Sequence, residues 1–489
     1  MSAPYDAIVI GAGVNGLAAA SYLAMAGKRV VVVDAQDKPG GLTARGGAAH
    51  TLYAFDPSVI RELKLARRGL AFAVRDMALV GLRAEGGHLV LTRDGYATAR
   101  AIAVHSQADA RAWAPFRREW FALAREMRAL WWRAGLKNGE ALVHDPRVEH
   151  FARMGAAAWL DSRFESDALK ATLGFDAHAL SPFATGSALL LLWRAAQEMC
   201  GLQGACAFPR GGLQTVVDAL EDAARAAGAE LRLRTLVADI LVDRDARVTG
   251  VALASGETIA APLVLSSLSR RRSLSYASLR AALGFGDVAE IEREKPGAQM
   301  AHVTLAVDVE PVIAGSTVPV RGRFVVAERL ESLAMAHAAA QTGRLPNELT
   351  MEVTLPIAAD ATLAPAGRHL VSVLAGPLPM TVEGGWREAK PLLAAKVIAA
   401  LSRHIPGLTK HLVGVEVLSP EDVREDYDAD DAFGGGVDAA RLLADWRTRV
   451  RTPVQGLILC GAAADPVGAV SGRGGRMAAC FAFEQDAKK

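Results

Sequence analysis

Cysteine is scarce in this chain of 489 residues: Cys200, Cys206, Cys460 and Cys480 are too few and too scattered for a disulfide framework. No pair has the CxxC spacing, so neither a zinc ribbon nor a thioredoxin-type site is supported. The interval between Cys200 and Cys206 fits no common ligand or redox spacing either, so no metal site is expected and the four read as reduced, mostly buried thiols. An excess of one charge is also missing. Fifty-five Lys and Arg face 53 Asp and Glu, a net charge of +2, which argues against a nucleic-acid binder. Long apolar runs are absent: Ala188–Trp193, for example, falls far short of the roughly 20 residues that span a membrane. The apolar N-terminus lacks a basic leader, and Gly11, Gly13 and Gly16 interrupt it, so it is not an export signal. No short-period repeat and no low-complexity linker is visible. A soluble, cytoplasmic globular protein without a transmembrane segment is expected, with two to four folding units at roughly 100–200 residues each.

Glycine, by contrast, is plentiful, and the 46 glycines cluster near both ends. Tyr5–Ile10 reads as a buried strand, followed at once by Gly11–Ala12–Gly13–Val14–Asn15–Gly16. A small-residue helix, Leu17–Ala26, ends at Gly27. Arg29–Val33 is a second buried strand with Asp34 at its end. This βαβ unit carries the dinucleotide fingerprint in register. Gly11 permits the tight turn, Gly13 lets a pyrophosphate approach the backbone, and Gly16 lets the helix pack on the strands. The helix N-terminus offers free N–H groups and partial positive charge to phosphate. Asp34 is placed to accept from a ribose diol, which favours FAD or NAD over NADP. Pro39–Gly40–Gly41, just beyond, is the pair typical of the FAD version of this fold.

Further along, Phe208–Leu213 precedes a helix over Gln214–Ala226. Leu231–Leu233, Leu236–Val242, a hairpin of Val248–Leu253 with Glu257–Ile259, and Leu263–Ser267 read as strands. Near the end, Gly456–Gly461 reads as turn plus strand. The loop Ala462–Gly472 leads into a helix over Arg473–Phe483, whose dipole would face a flavin edge where negative charge grows on reduction.

These segments resemble the phytoene-desaturase-like branch of the FAD-dependent amine oxidase superfamily, most nearly the group of pyridine nucleotide-disulfide oxidoreductase domain protein two. The resemblance runs through Gly11–Leu17 with Asp34 and Gly40–Gly41, then Gly211–Gly212 to Gly250–Val251. It continues in Asp360–His369 with Gly384–Gly385–Trp386, and in Leu459–Gly461 to Gly472 with Gly475–Ala479. Two departures stand out: Leu42 replaces the Arg common after the glycine pair, and Asp465–Ala469 replaces a His-Pro-Gly-Gly-Gly run.

The resemblance implies an α/β fold with a discontinuous Rossmann-like FAD domain over 1–75, 205–280 and 415–489, and a mixed α+β substrate domain over 76–204 and 281–414. Helices are expected over 108–132, 146–163, 166–174, 186–200 and 386–404, and strands around 302–309 and 369–375. It implies cofactor contacts from Gly11, Ala12, Gly13, Val14, Asn15, Gly16, Asp34, Ala35, Gly40, Gly41, Leu42, Val237, Ser266, Gly461, Ala462, Val470, Ser471 and Gly472. The expected activity is an FAD-dependent oxidoreductase that moves a hydride from a C–H bond of an apolar, isoprenoid or lipid-like small molecule to flavin N5, with oxygen or a quinone as acceptor. Two alternatives are an amine or amino-acid oxidase, with an aromatic cage or an Arg clamp, and a flavin-containing binding protein without turnover.

Trp113, Trp120, Trp131 and Trp132 read as helix core in preference to a substrate wall. Arg270–Arg271–Arg272 reads as a solvated run in preference to a peripheral membrane contact. His50, His178, His302 and Tyr427 are candidate proton acceptors, but no spacing selects among them, so no catalytic acid or base is assigned.

Overall fold

The computed structural model describes residues 5–45, 51–134, 145–293, 297–315, 321–427, 442–465 and 467–487, the side chains of 129–134 and 463 excepted. Its first sheet has five parallel strands in the order Leu457–Leu459, Val264–Ser266, Ala7–Ile10, Val30–Val33, Glu230–Arg232. A parallel sheet is covered on both faces, which is why Val30–Val33 is an unbroken apolar run with every residue buried. Alternation then assigns the faces. Ala7, Val9, Val30 and Val32 pack under the helices Val14–Met25, Gln214–Ala226 and Arg473–Asp486. Ile8, Ile10, Val31 and Val33 pack under the antiparallel meander Val237–Val242, Val248–Leu253, Thr258–Ala260.

The second sheet has seven strands in the order Leu412–Leu418, Gln299–Val307, His369–Leu378, Met351–Thr354, Arg323–Val326, Leu79–Gly81, Leu89–Leu91. Val303, Val353 and Val373 point to one face and pack on the helix Trp386–Ser402. The opposite face carries Glu352 beside Leu374 and His302 beside Leu374, in register across three strands. A helical layer around Gln107–Ala134 and Ser187–Ala196 completes this half. Among the described residues no helix is long and apolar enough to cross a membrane.

Three expectations change. The helix expected over 146–163 is two helices, Pro146–Ala152 and Ala156–Asp161, because the second starts on outside partners: Ala156 N–H donates to Ser187 Oγ (2.8 Å) and Ala157 N–H to the Pro182 carbonyl (2.9 Å). The first part of the expected substrate domain, where only helices are expected, also supplies two strands: Leu79–Gly81, which pairs with Arg323–Val326, and Leu89–Leu91, which pairs with Leu79–Gly81. The strand Leu412–Leu418 straddles the expected boundary at 415 and pairs with Gln299–Val307 of the second sheet.

The distinctive segment outside the nucleotide fold has a mechanical task. Asp360 Oδ2 accepts from the Gly211 N–H (2.6 Å), and its Oδ1 accepts from Thr362 N–H (3.0 Å), joining the second half to the Gly211 turn of the first. Burial would raise the Asp360 pKa, but the Gly211 and Thr362 donors outweigh it and hold the carboxyl below the usual value. A depressed carboxylate stabilises the fold above its unfolded pKa, and that contribution is lost as pH falls through the folded value. Asp360→Ala should therefore lower the unfolding free energy from urea titration at pH 7 by about 1.5–3 kcal/mol, the worth of hydrogen bonds to a charged acceptor. The gap between variant and parent should close in acid, and a gap that widens below pH 4 would contradict this.

Candidate functional site

The sequence places Gly11 where the first strand must turn sharply, and its φ of +93° is one that only glycine adopts freely. Gly16 sits so close behind it that a Cβ there would lie 2.0 Å from the Gly11 carbonyl oxygen. Gly13 is different: a Cβ there would meet no protein atom within 4 Å, because it would project into a cavity. Asp34 closes the turn from the end of the second strand, accepting the Ala12 N–H (2.6 Å) and the Gln36 N–H (2.8 Å). Its pKa is raised by burial, against the pull of those two donors.

The cavity encloses about 560 Å³, within the range of small-molecule sites. Both ends of the chain reach it. Gly11, Gly13, Val14, Asn15, Asp34, Ala35, Gly40, Gly41 and Leu42 line it from the N-terminal side, Val237 from the meander, and Gly461, Ala462 and Val470 from the C-terminal side. Five expected residues do not line it. Ala12 is buried behind Asp34, and Gly16 is packed on Gly11. Ser266 faces the core, where its hydroxyl meets Ser273 Oγ (2.8 Å), and its neighbour Ser267 lines the cavity instead. Ser471 is turned to Asp465 (2.8 Å), and Gly472 packs on Val59.

The donor set suits a dinucleotide. The first helix starts at the cavity without a side-chain cap, so its N–H groups remain for an anion. Asn15 Oδ1 is buried with no hydrogen-bond partner in the protein, an acceptor that a hydroxyl or N–H of a bound group would satisfy. Nothing occupies the place a Cβ would fill at Gly13 and Gly41.

Beyond Gly468 the lining changes character. Tyr53, Leu190, Trp193, Leu374, Val467 and Ala469 make an apolar chamber that also holds Asp176, His178, Arg194, Arg323 and Glu352. The charges cancel one another. Arg323 is paired with both Asp176 and Glu352, and Arg194 lies 3.9 Å from Asp176. Burial would raise the Asp176 pKa, but Arg323 and Arg194 outweigh it and hold it low. Burial, against the pull of Arg194, pushes the Tyr53 phenol up, so it stays protonated. These groups converge from four distant segments. The one sequence signal was Arg194, a charge inside the otherwise apolar helix Ser187–Ala196.

The candidate proton acceptors separate here. His178 and Tyr427 line the cavity, and His302 does not: its Nε2 meets Ser372 Oγ (2.8 Å). His50 lies outside the described residues. The His178 Nδ1 is 2.9 Å from the Phe175 carbonyl oxygen, an acceptor, so the ring proton is on Nδ1 and the lone pair on Nε2. Tyr427 stands beside Arg45, whose guanidinium is 5.9 Å from its ring centroid. Arg272 also lines the cavity, over Tyr276 (4.9 Å), so the triple-arginine run is not merely a solvated surface. Trp113 and Trp120 pack in the helical core with Phe116, Trp159 and Phe164, as expected; the side chains of Trp131 and Trp132 lie outside the described residues.

Asp465, the departure in the last loop, is wholly buried. It accepts from Val467 N–H (3.1 Å) and Ser471 Oγ (2.8 Å) and neutralises Arg473 (3.5 Å). It therefore shapes the loop from behind.

Comparison with known proteins agrees with this geometry. Residues 6–269 match the family described as FAD dependent oxidoreductase. The chain is 31% identical to the phytoene dehydrogenase of Streptomyces griseus, over 85% of this chain and 82% of that protein. It is 29% identical to the pyridine nucleotide-disulfide oxidoreductase domain-containing protein 2 of Rattus norvegicus, over 98% and 93%. In fold it is similar to a putrescine oxidase solved with putrescine bound, with a TM-score of 0.65 at 17% identity over 99% of each chain.

Gly13→Ala separates folding from binding. Since the added methyl meets no protein atom, the unloaded variant should melt within about 1 kcal/mol of the parent. Its affinity for added FAD, read by flavin fluorescence, should fall at least about tenfold. Unchanged FAD affinity would remove Gly13 from the cofactor cradle.

Proposed function

Because the chain belongs to the family of FAD-dependent oxidoreductases, we propose that it takes hydride from a C–H bond of an apolar substrate held in the chamber beyond Gly468. FAD is its cofactor, and the enzyme works on a small molecule and a separate electron acceptor. The observation that carries the proposal is the single cavity: the glycine-lined dinucleotide cradle opens directly into an apolar chamber whose charges are mutually paired.

When bound, FAD supplies the two-electron acceptor. The chain supplies the rest. Gly11, Gly13 and the backbone N–H groups of Val14 and Asn15 at the first helix N-terminus would hold the pyrophosphate, and Asp34 the ribose. Gly461, Ala462 and Val470 would border the flavin ring. Leu190, Trp193, Leu374 and Val467 exclude water and orient an apolar chain. Making a C=C bond also releases a proton from the neighbouring carbon. Asp176 and Glu352 are tied to Arg323, so His178 Nε2 is the group that takes it.

The competing readings have less support. An amine-recognising cage needs aromatic faces turned to the ligand. Here Tyr53 and Trp193 meet edge to face, at 85° and 6.3 Å, and Arg194 covers Tyr53 at 4.9 Å. An Arg clamp needs a guanidinium turned to the ligand; Arg323 has two carboxylates, and Arg194 is turned to the Tyr53 face and the Gly204 carbonyl. The altered Asp465 loop does not argue for a binding protein without turnover, because its new carboxylate is fully paired from behind. Oxygen or a quinone as acceptor and a cytoplasmic setting belong to the same proposal; the latter is supported by four cysteines present as thiols.

The test is anaerobic bleaching of the flavin band against carotenoid precursors, fatty acyl compounds and amines. Bleaching by an apolar compound and not by amines is expected. Bleaching by amines alone would overturn the assignment. With the active compound, His178→Gln should slow bleaching by about 10²–10⁴-fold while leaving FAD content intact. An unchanged rate would release His178 from that role.

A further inference from the structure

The long helix Gln107–Ala134 presents an unusual row. Trp113, Arg117, Phe121 and Arg125 recur every fourth position, so they stack along one face as aromatic, cation, aromatic, cation. The acids of this helix turn elsewhere: Glu119 pairs with Arg163 (2.9 Å), and Glu126 with Arg147. Arg117 lies over the Phe121 ring at 4.7 Å, Arg125 reaches the Gln203 amide oxygen at 3.3 Å, and Arg118 stands beside them. Among the described residues none of these three arginines meets a carboxylate. Burial, reinforced by the nearby Arg93 charge, lowers the Arg117 pKa and outweighs the opposing pull of Asp76, which is itself paired with Arg93.

The row lines a surface groove of about 630 Å³. Trp113, Arg117 and Phe121 also line a side chamber of about 180 Å³ behind it, walled by Leu79, Leu91 and Leu173. That chamber shares Asp176, Arg194 and Arg323 with the flavin cavity. Groove, chamber and cavity thus lie side by side, and the partition between the last two is the ion cluster, whose loosest member, Arg194, lies 3.9 Å from Asp176.

We propose that the groove is the substrate port and that it selects a long-chain carboxylate: the head seated on Arg117, Arg118 and Arg125, the chain running through the side chamber toward the flavin cavity. A carboxylate is the planar, bidentate partner that guanidinium groups match best. Behind the arginines Leu79, Leu91, Leu173, Trp113, Trp120 and Phe121 offer an apolar strip along which a hydrocarbon chain can lie, beside charged residues that are largely paired with one another. This rests on the flavin reading and narrows its substrate class to anionic amphiphiles.

The experiment uses the FAD-loaded protein titrated with oleate and, separately, with oleyl alcohol, both below their aggregation thresholds. Tryptophan fluorescence reports the groove and the visible flavin band reports the cavity. Oleate should bind at least about tenfold tighter than the alcohol, and it should perturb both signals. The double variant Arg117→Gln/Arg125→Gln should abolish that preference with FAD content unchanged. Arg118→Glu, an exposed single change, should weaken oleate alone should the double variant prove unstable. Equal affinity for acid and alcohol, oleate affinity untouched by these changes, or a flavin band unmoved at saturation would each overturn the proposal. A purified protein with no flavin would instead sink the assignment on which it stands.

Discussion

The two ends of the chain meet through backbone contacts that no side chain could survive. A Cβ on Gly475 would lie 2.0 Å from the Asn15 carbonyl oxygen, and one on Gly461 would lie 2.2 Å from that of Ser267. Gly475 and Asn15 both sit in the first turn of their helices, Arg473–Asp486 and Val14–Met25, so the contact brings the two helix starts together. Each start carries partial positive charge and free N–H groups. The dinucleotide cradle is thus built by helix placement, and that placement is permitted by missing methyl groups. Loss of an Arg after the glycine pair, where Leu42 stands, is tolerable in such a frame because much of the anion stabilisation is supplied by the backbone.

Charge in the remainder of the cavity follows a different rule. Arg323 is flanked by Asp176 and Glu352, and Arg473 by Asp465 and Asp56 (3.6 Å). Buried ions are tolerated when paired and hydrogen-bonded, and each pair here fixes segments remote in sequence. Asp176–Arg323–Glu352 ties the helical layer to two strands of the second sheet. Asp465–Arg473 ties the last loop to the last helix. The result is a chamber with charged residues in its wall and little net charge facing its interior.

The sequence made legible those parts whose signal is local. Val30–Val33 shows a buried parallel strand, and Gly11 to Gly16 with Asp34 shows the turn, because each needs only neighbours along the chain. The helix Gln214–Ala226 falls where its periodicity places it. Leu79–Gly81 and Leu89–Leu91 were illegible because these three-residue strands exist only as an extension of the second sheet, the first pairing with Arg323–Val326 more than 200 residues away and the second pairing with the first. Ser266 and Ser267 illustrate the finest limit: strand alternation puts one in the core and the other on the cavity, and only the register with Ala7–Ile10 decides which. The ion cluster of the chamber left a single trace, Arg194 amid leucines.

That trace bears on how the chamber can work. An arginine in an apolar helix is costly unless its partners are fixed, and Arg194 has the Gly204 carbonyl (3.1 Å), the Tyr53 face and a distant Asp176. Tyr53 enters from the segment after the glycine pair, so Arg194 touches the cofactor half and the substrate half together. Of the two chamber guanidiniums, Arg323 is immobilised by two carboxylates and can only be structural. Arg194 is held by a ring face and one carbonyl, contacts that allow it to shift without stranding a partner charge. A wall that must exclude water when closed and still admit a substrate needs one such member, and its position at the junction of the cavity and the side chamber is where that movement would count.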